Sequence, residues 1–221
     1  MTILPTPRAI LFDWDNTLVD TWPLIHRALN MTMRHMDHPE WSIEKVRGEV
    51  KHSMRDSFPA LFGDRWEEAA RFYQLSYRSI NLAELMPLPG ANAMLAAIPR
   101  DRVFTGVVSN KQSVSLRQEV PHLGWAHFFN ILVGATDAQR DKPFPDPALL
   151  ALRDSGVEPG PQVWFIGDTN ADLGCANNIG ATAILYGDHA TEGMTLNGDP
   201  FAAHVRTLAE LEALITASYV A

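Results

Sequence analysis

The stretch RAILFDWDNTLVD, from Arg8 to Asp20, restricts the possible folds more than any other part of the chain. Ala9, Ile10, Leu11 and Phe12 form a short unbroken apolar run, the pattern of a strand covered on both faces in a parallel sheet. The run stops at two carboxylates, Asp13 and Asp15, with Thr17 two residues beyond. Open α/β sheets bind ligands beyond the carboxyl ends of their strands, so charge at such a tip has a use there. Asp-x-Asp spacing alone arises about once by chance in a chain of this length and ordinary charged composition. Its weight therefore comes from the strand before it and from what lies at the later strand ends.

The next stretch changes texture. From Thr21 to Met36 the residues Trp22, Ile25, Leu29, Met33 and Met36 recur three and four apart, which predicts a helix with one apolar face. A short helix is expected over Ser42–Val46, ending near Gly48, and a long one over Arg65–Ile80 with Trp66, Ala69, Ala70, Tyr73 and Tyr77 on one side. Between them Lys51, His52, Ser53, Met54 and Arg55 read as a polar, basic interlude. Met86-Pro87-Leu88-Pro89-Gly90 then breaks the pattern, as two prolines and a glycine must.

Beyond that break strands and helices alternate, the mark of a parallel sheet. Strands are expected at Arg102–Val108, Ile131–Val133, Val163–Ile166 and Ala181–Tyr186, making five with the first. Helices are expected near 91–98, 113–120, 147–155, 171–178 and 207–217, with Asp146 capping the third and Pro147 in its first turn. The all-helical block thus interrupts an α/β core directly after its first strand, where an insertion would form a lid above the strand ends.

Each strand end carries polar residues: Asp13, Asp15 and Thr17 after the first, Ser109 and Asn110 after the second, Lys142 after the third, Asp168 and Asp172 after the fourth. Singly, each would suit a solvent-facing loop. Together, and in this order, the set D-x-D-x-T, S-N, K-P and G-D-x-x-x-D resembles the motifs of the haloacid dehalogenase-like superfamily of phosphohydrolases. The likeness spans nearly the whole chain, and the helical insertion resembles that superfamily's C1-type cap. VVSNK and KPFPDP are most similar to the phosphoglycolate-phosphatase-like branch.

The resemblance implies a Rossmann-like parallel core, residues 1–19 and 87–221, with a helical cap over 20–86, and the first strand lying between the second and the fourth. It implies a phosphatase acting on a small phosphorylated metabolite through an aspartyl-phosphate. Asp13 would be the nucleophile, and Asp15 the proton donor to the leaving alkoxide and then the base for water. Asp13, Asp168 and the main-chain carbonyl of Asp15 would hold Mg²⁺, an all-oxygen set suited to a hard cation, with Asp172 supporting them. Ser109 and the N–H of Asn110 would bind phosphate oxygens, Lys142 would balance charge, and Thr17 would order the loop.

Two positions depart from or elaborate the pattern. Asn16 stands where the family usually has glycine, and asparagine is the other residue that best tolerates a left-handed backbone. Trp14 fills the variable position between the aspartates, its N–H available to phosphate and its ring to packing. Asp15 favours a phosphoester over a haloacid, because a halide leaving group needs no proton. A phosphomutase of the β-phosphoglucomutase type would keep the same residues. So, from another class, would a non-catalytic ligand-binding protein that had kept the pocket, although binding alone needs no proton donor.

Substrate choice is expected of the cap, where Lys51 or Arg55 would supply the cation that a small phosphorylated acid needs for its carboxylate. The formal net charge of −8 leaves no electrostatic footprint for nucleic acid. No apolar run is long enough for a membrane helix, and the N-terminus lacks the pattern of a signal peptide. A lone cysteine, Cys175, precludes an internal disulfide framework and reads as a helix-packing residue in a cytoplasmic protein. The residues do not fix an oligomeric state.

Overall fold

A computed structural model of the chain describes residues 4–50, 53–80, 82–191 and 193–219. The chain forms two compact units: Met1–Val19 with Pro87–Ala221, and Asp20–Met86.

In the first unit, strand β1 (Ala9–Phe12) is wholly buried, as its unbroken apolar run requires. The chain leaves this unit and returns to it at α5 (Ala91–Ala97), then runs through β2 (Phe104–Gln112), α6 (Ser113–His122), β3 (Ile131–Ala135), α7 (Asp146–Leu152), β4 (Val163–Gly167), α8 (Asn170–Asn178), β5 (Thr182–Tyr186), β6 (Ala203–Val205) and α9 (Leu208–Ala217). The six strands form one parallel sheet in the order β6-β5-β4-β1-β2-β3. Leu11, Val108, Val133, Phe165 and Leu185 from the sheet pack with Leu173, Cys175 and Ile179 from the region of α8.

Register does the positioning. Phe12 lies opposite Val107 on one side and Ile166 on the other, so Asp13 comes level with the end of β4 and with the start of the irregular last stretch of β2. The Asp13 N–H donates to the Ile166 carbonyl at 2.8 Å. Between β2 and β3 the pairing slips: Val108 faces Val133, but the next pair is Gln112 with Ala135. Ser109, Asn110 and Lys111 thus oppose only Gly134, and a bulge of this kind re-aims side chains at a strand end. A Cβ on Gly134 would lie 2.5 Å from Ser113 Cα, so only glycine lets the bulge close.

The second unit contains α1 (Trp22–His35), α2 (Ile43–Glu49), α3 (Met54–Phe62) and α4 (Trp66–Ser79), with no long strand among its described residues. Leu24, Ile25, Ala28, Leu29 and Met33 form the buried face of α1, which packs against α4. Phe58 meets Phe62 and Tyr73 edge to face, tying α3 to α4.

The structure differs from the sequence pattern at several points. The sheet has a sixth strand, β6; its three residues are too few and too exposed to make an apolar run, and pairing with β5 creates the strand. Strand β2 runs on to Gln112, because the bulge carries it past its apolar stretch. Arg55 is not in a loop: it lies in the first turn of α3, entered through Ser53, whose hydroxyl donates to Asp56 at 2.9 Å. Asp146 is inside α7 rather than capping it, and its carboxylate pairs with Arg140 at 3.0 Å. Lys51 and His52 lie outside the described residues.

Candidate active site

The site is assembled from four strand ends of the first unit. After β1 the chain turns tightly: the Trp14 carbonyl accepts from the N–H groups of Thr17, Leu18 and Val19, and Asn16 N–H donates to Val19 O at 2.7 Å. Asn16 has φ 61°, the left-handed conformation that asparagine tolerates in place of glycine. This turn sets Asp13, Asp15 and Thr17 at one end of the sheet.

Lys142 is the centre of the cluster and is only 2% exposed. Its Nζ donates to Asp13 Oδ1 at 2.7 Å, to Asp172 Oδ1 at 2.6 Å and to the Val108 carbonyl at 2.7 Å. An ammonium has three donors, and all three are used. Asn110 holds the lysine's main chain through two bonds: its Nδ2 donates to Lys142 O at 3.0 Å, and its Oδ1 accepts from Lys142 N–H at 2.9 Å. The side chain of Asn110 is therefore a brace for Lys142, a role its position in the sequence does not reveal. Ser109 is buried at the bulge, with its Oγ accepting from Lys111 N–H at 3.3 Å.

Asp168 follows β4, and one of its oxygens accepts from the Thr17 hydroxyl at 3.3 Å. Asp172 sits in the first turn of α8. Its Oδ2 accepts from the N–H and hydroxyl of Thr169, at 2.9 and 2.6 Å, so both of its oxygens are engaged once Lys142 is counted. A Cβ on Gly167 would lie 2.2 Å from Asp172 Cγ, which is why glycine precedes Asp168. Asp172 thus supports Lys142 and the start of α8.

Carboxylate oxygens of Asp13, Asp168 and Asp172 lie within 4.8 Å of one another. Burial pushes the Asp13 carboxyl up to about 6; Lys142 opposes the shift, while repulsion from Asp172 and Asp15 adds to it. Asp168 is raised well above the usual range, first by burial, then by the charges of Asp172 and Asp13. Three crowded carboxylates thus face one lysine, and the excess negative charge fits a hard divalent cation such as Mg²⁺. Of the three, Asp13 and Asp168 would hold such an ion directly, because both oxygens of Asp172 are engaged.

Beside this cluster lies a second one built from Trp14, Asp15, Lys111 and Glu119. Lys111 Nζ donates to Asp15 Oδ1 at 2.8 Å and lies 3.1 Å from Glu119 Oε1, while the Trp14 indole N–H donates to Glu119 Oε2 at 2.7 Å. The Trp14 ring is fully buried and meets Trp125 and Phe129 edge to face. The sequence reading missed Lys111 and Glu119 as site residues. The signal was present: Glu119 falls between Leu116 and Val120 on the buried face of α6, where an acid has no packing purpose.

The expected residues Asp13, Asp15, Thr17, Ser109, Asn110, Lys142, Asp168 and Asp172 all belong to the first unit, whereas Arg55 belongs to the second. Among the described residues, no helix is long and apolar enough to cross a membrane.

Residues 10–186 match the family model described as haloacid dehalogenase-like hydrolase. The chain is 31% identical over 188 residues to an N-acetylmuramic acid 6-phosphate phosphatase from Pseudomonas aeruginosa, covering 81% of this chain and 82% of that one. It is 27% identical over 179 residues to a phosphoglycolate phosphatase from Aquifex aeolicus, covering 80% and 84%. A haloacid dehalogenase-like family hydrolase from Streptococcus pneumoniae shares the fold, with a TM-score of 0.82 over 94% of this chain and 98% of that one at 23% identity. With the family model spanning most of the chain, and relatives matching over four-fifths of their own length, the protein belongs to the haloacid dehalogenase-like hydrolases.

Proposed function

We propose that the protein is a Mg²⁺-dependent phosphatase that hydrolyses a small phosphorylated metabolite through an aspartyl-phosphate on Asp13. The observation that carries this reading is the buried Asp13–Lys142–Asp172 arrangement beside Asp168, with a second carboxylate, Asp15, two residues from the first. Its lysine holds one oxygen of Asp13 and leaves the carboxylate placed at a strand end, where substrate enters.

Mg²⁺, held by Asp13, Asp168 and the main-chain carbonyl of Asp15, would neutralise charge on the nucleophile and the phosphoryl oxygens. In the first half-reaction an Asp13 oxygen attacks phosphorus and the bond from phosphorus to the ester oxygen breaks. Asp15 gives its proton to the departing alkoxide. In the second, Asp15, now a carboxylate, takes a proton from water as the water oxygen attacks phosphorus. The bond to Asp13 breaks, phosphate leaves, and both aspartates return to their starting states. Lys142 keeps Asp13 ionised and oriented, and Ser109 with the N–H of Asn110 binds phosphoryl oxygens.

The substrates named for the two curated relatives share a chemistry. Phosphoglycolate and N-acetylmuramic acid 6-phosphate are both phosphate esters of a primary alcohol, and both carry a carboxylate. We assign the same class to this protein, with Arg55 or Lys51 of the helical unit as the carboxylate's cation. We also place it in the cytoplasm.

Phosphate release from a panel of phosphoglycolate, sugar phosphates with and without a carboxylate, and nucleotides tests the proposal, beside an Asp13→Asn control. Release that needs Mg²⁺, is lost in the control, and is fastest on the carboxylate-bearing esters is expected. Isomerisation of a sugar phosphate without release would replace the phosphatase with a mutase.

A further inference from the structure

Glu119 is fully buried, yet no part of the catalytic cycle uses it. A buried carboxylate is costly unless paired, and a well-packed apolar residue would serve stability at least as well. Its surroundings are therefore informative. Glu119 has one cation, Lys111 Nζ at 3.1 Å, and one neutral donor, the Trp14 indole at 2.7 Å. The same Lys111 reaches Asp15 at 2.8 Å, and its side chain is only 6% exposed. Trp14 is the residue between the two aspartates. The contacts form a closed ring: Asp15 to Lys111, Lys111 to Glu119, Glu119 to Trp14, and Trp14 back to Asp15 along the main chain.

Three features make this ring rigid. Lys111 leaves the sheet on the bulge that Gly134 allows to close. Glu119 rides on α6, whose N-terminal Ser113 bonds to Ala135 O at 3.2 Å. Trp14 is clamped by the rings of Trp125 and Phe129. A lysine on four methylenes would otherwise sample many rotamers; here both ends of its reach are fixed.

We propose that Lys111, seated by Glu119 and Trp14, is a positioning residue that fixes Oδ1 of Asp15 and so presents Oδ2 as the oxygen that exchanges the proton. This rests on the reading of Asp15 as the acid and base of the phosphatase. Lys111 touches neither phosphorus nor the nucleophile; it acts through Asp15 alone. Its removal slows the proton transfers made by Asp15 and spares the attack of Asp13 wherever the leaving group needs no proton.

Aryl and alkyl esters separate these steps. Nitrophenolate leaves p-nitrophenyl phosphate without needing a proton, so its release reports the attack of Asp13, whereas the following hydrolysis still needs Asp15 to deprotonate water. Pre-steady-state release of nitrophenolate by the full chain with Mg²⁺ thus gives two rates. In Lys111→Met the burst rate is retained, and the ratio of burst to steady-state rate rises at least about tenfold over wild type, a fraction of the roughly hundred- to ten-thousand-fold that acid–base catalysis contributes, since Asp15 itself remains. Lys111→Arg, which keeps the charge and the donors, restores most of it. Glu119→Gln, nearly isosteric, raises the ratio by a smaller factor and decides the matter if Lys111→Met does not fold.

Ratios within about twofold of wild type in Glu119→Gln and in any folded Lys111→Met would overturn the proposal, as would equal loss of both rates, which marks general damage to the site. Asp15→Asn keeps the underlying reading separate: a wild-type ratio in that variant sinks the acid–base role of Asp15 whatever Lys111 does.

Discussion

At the residue scale, the carboxylate cluster rests on a few buried charges that cannot be removed singly. Lys142 lies between Asp13 and Asp172, whose side chains are 9% and 1% exposed. Lys142→Met leaves two buried carboxylates facing each other and Asp168 without a counter-charge. Breaking a buried ionic cluster in this way costs about 3–5 kcal/mol. Urea denaturation of the metal-free variant is expected to show a loss of this size together with loss of phosphatase activity, and Mg²⁺ to recover part of the stability but not the rate. A second residue, outside the carboxylate cluster, reports on pH. His189 Nε2 donates to Tyr186 O at 3.0 Å, and burial, helped by His204 and opposed by that bond and by Asp188, lowers its affinity for a proton below the usual 6.5. The unfolded chain then binds a proton there at higher pH than the folded one, so this contribution to stability is present above 6.5 and lost as pH falls. Urea midpoints between neutral and mildly acid pH should fall less steeply in His189→Gln than in wild type.

At the scale of single elements, the strand ends and helix starts are shared between fold and site. Helix α8 begins with Asp172 accepting from both the N–H and the hydroxyl of Thr169, and the same carboxylate carries Lys142. The cap of the helix and the support of Lys142 are one group. Thr169→Val keeps the shape and removes the hydroxyl donor; we expect a loss of about 1 kcal/mol in thermal or urea denaturation, typical of a weakened cap, and a lower kcat with little change in KM. If kcat stays at the wild-type value, Asp172 serves the helix alone. The bulge in β2 is a comparable case. The stretch 102–108 reads as a strand, but the slip that turns Ser109, Asn110 and Lys111 toward the site arises from pairing with β3 and from the missing Cβ of Gly134. Period and composition carry no sign of it.

At the scale of the whole molecule, the chain is two compact units, and the carboxylate cluster lies wholly within the one that contains the sheet. A cation bound there stabilises the folded chain by mass action. The melting temperature is expected to rise with Mg²⁺ concentration, to fall on chelation, and to lose this dependence in Asp168→Asn. A melting temperature indifferent to Mg²⁺ in wild type would remove the metal from the proposed scheme. The Arg55 assignment belongs to this scale as well, since it lies in the other unit. In Arg55→Ala, KM for a carboxylate-bearing ester should rise while that for an ester without a carboxylate stays the same.

Much of this is legible in the sequence alone. The unbroken apolar runs of β1, β4 and β5 mark buried parallel strands, because a strand covered on both faces has no polar alternation to show. The acids that end such runs announce a site, and asparagine at position 16 is the residue that lets the first turn close. What the sequence by itself determined, then, was the class of fold and the identity of the residues at the strand ends, both of which follow from local pattern. Only the tertiary structure decided which atoms meet. β6 exists because β5 offers it an edge, Asn110 braces Lys142 across 32 residues, and Glu119 reaches Asp15 through Lys111 from 105 residues beyond Trp14. The physical reason is the same in each case: these contacts are set by strand register and by the packing of α6 and α8 on the sheet, and neither is encoded in any short stretch of chain.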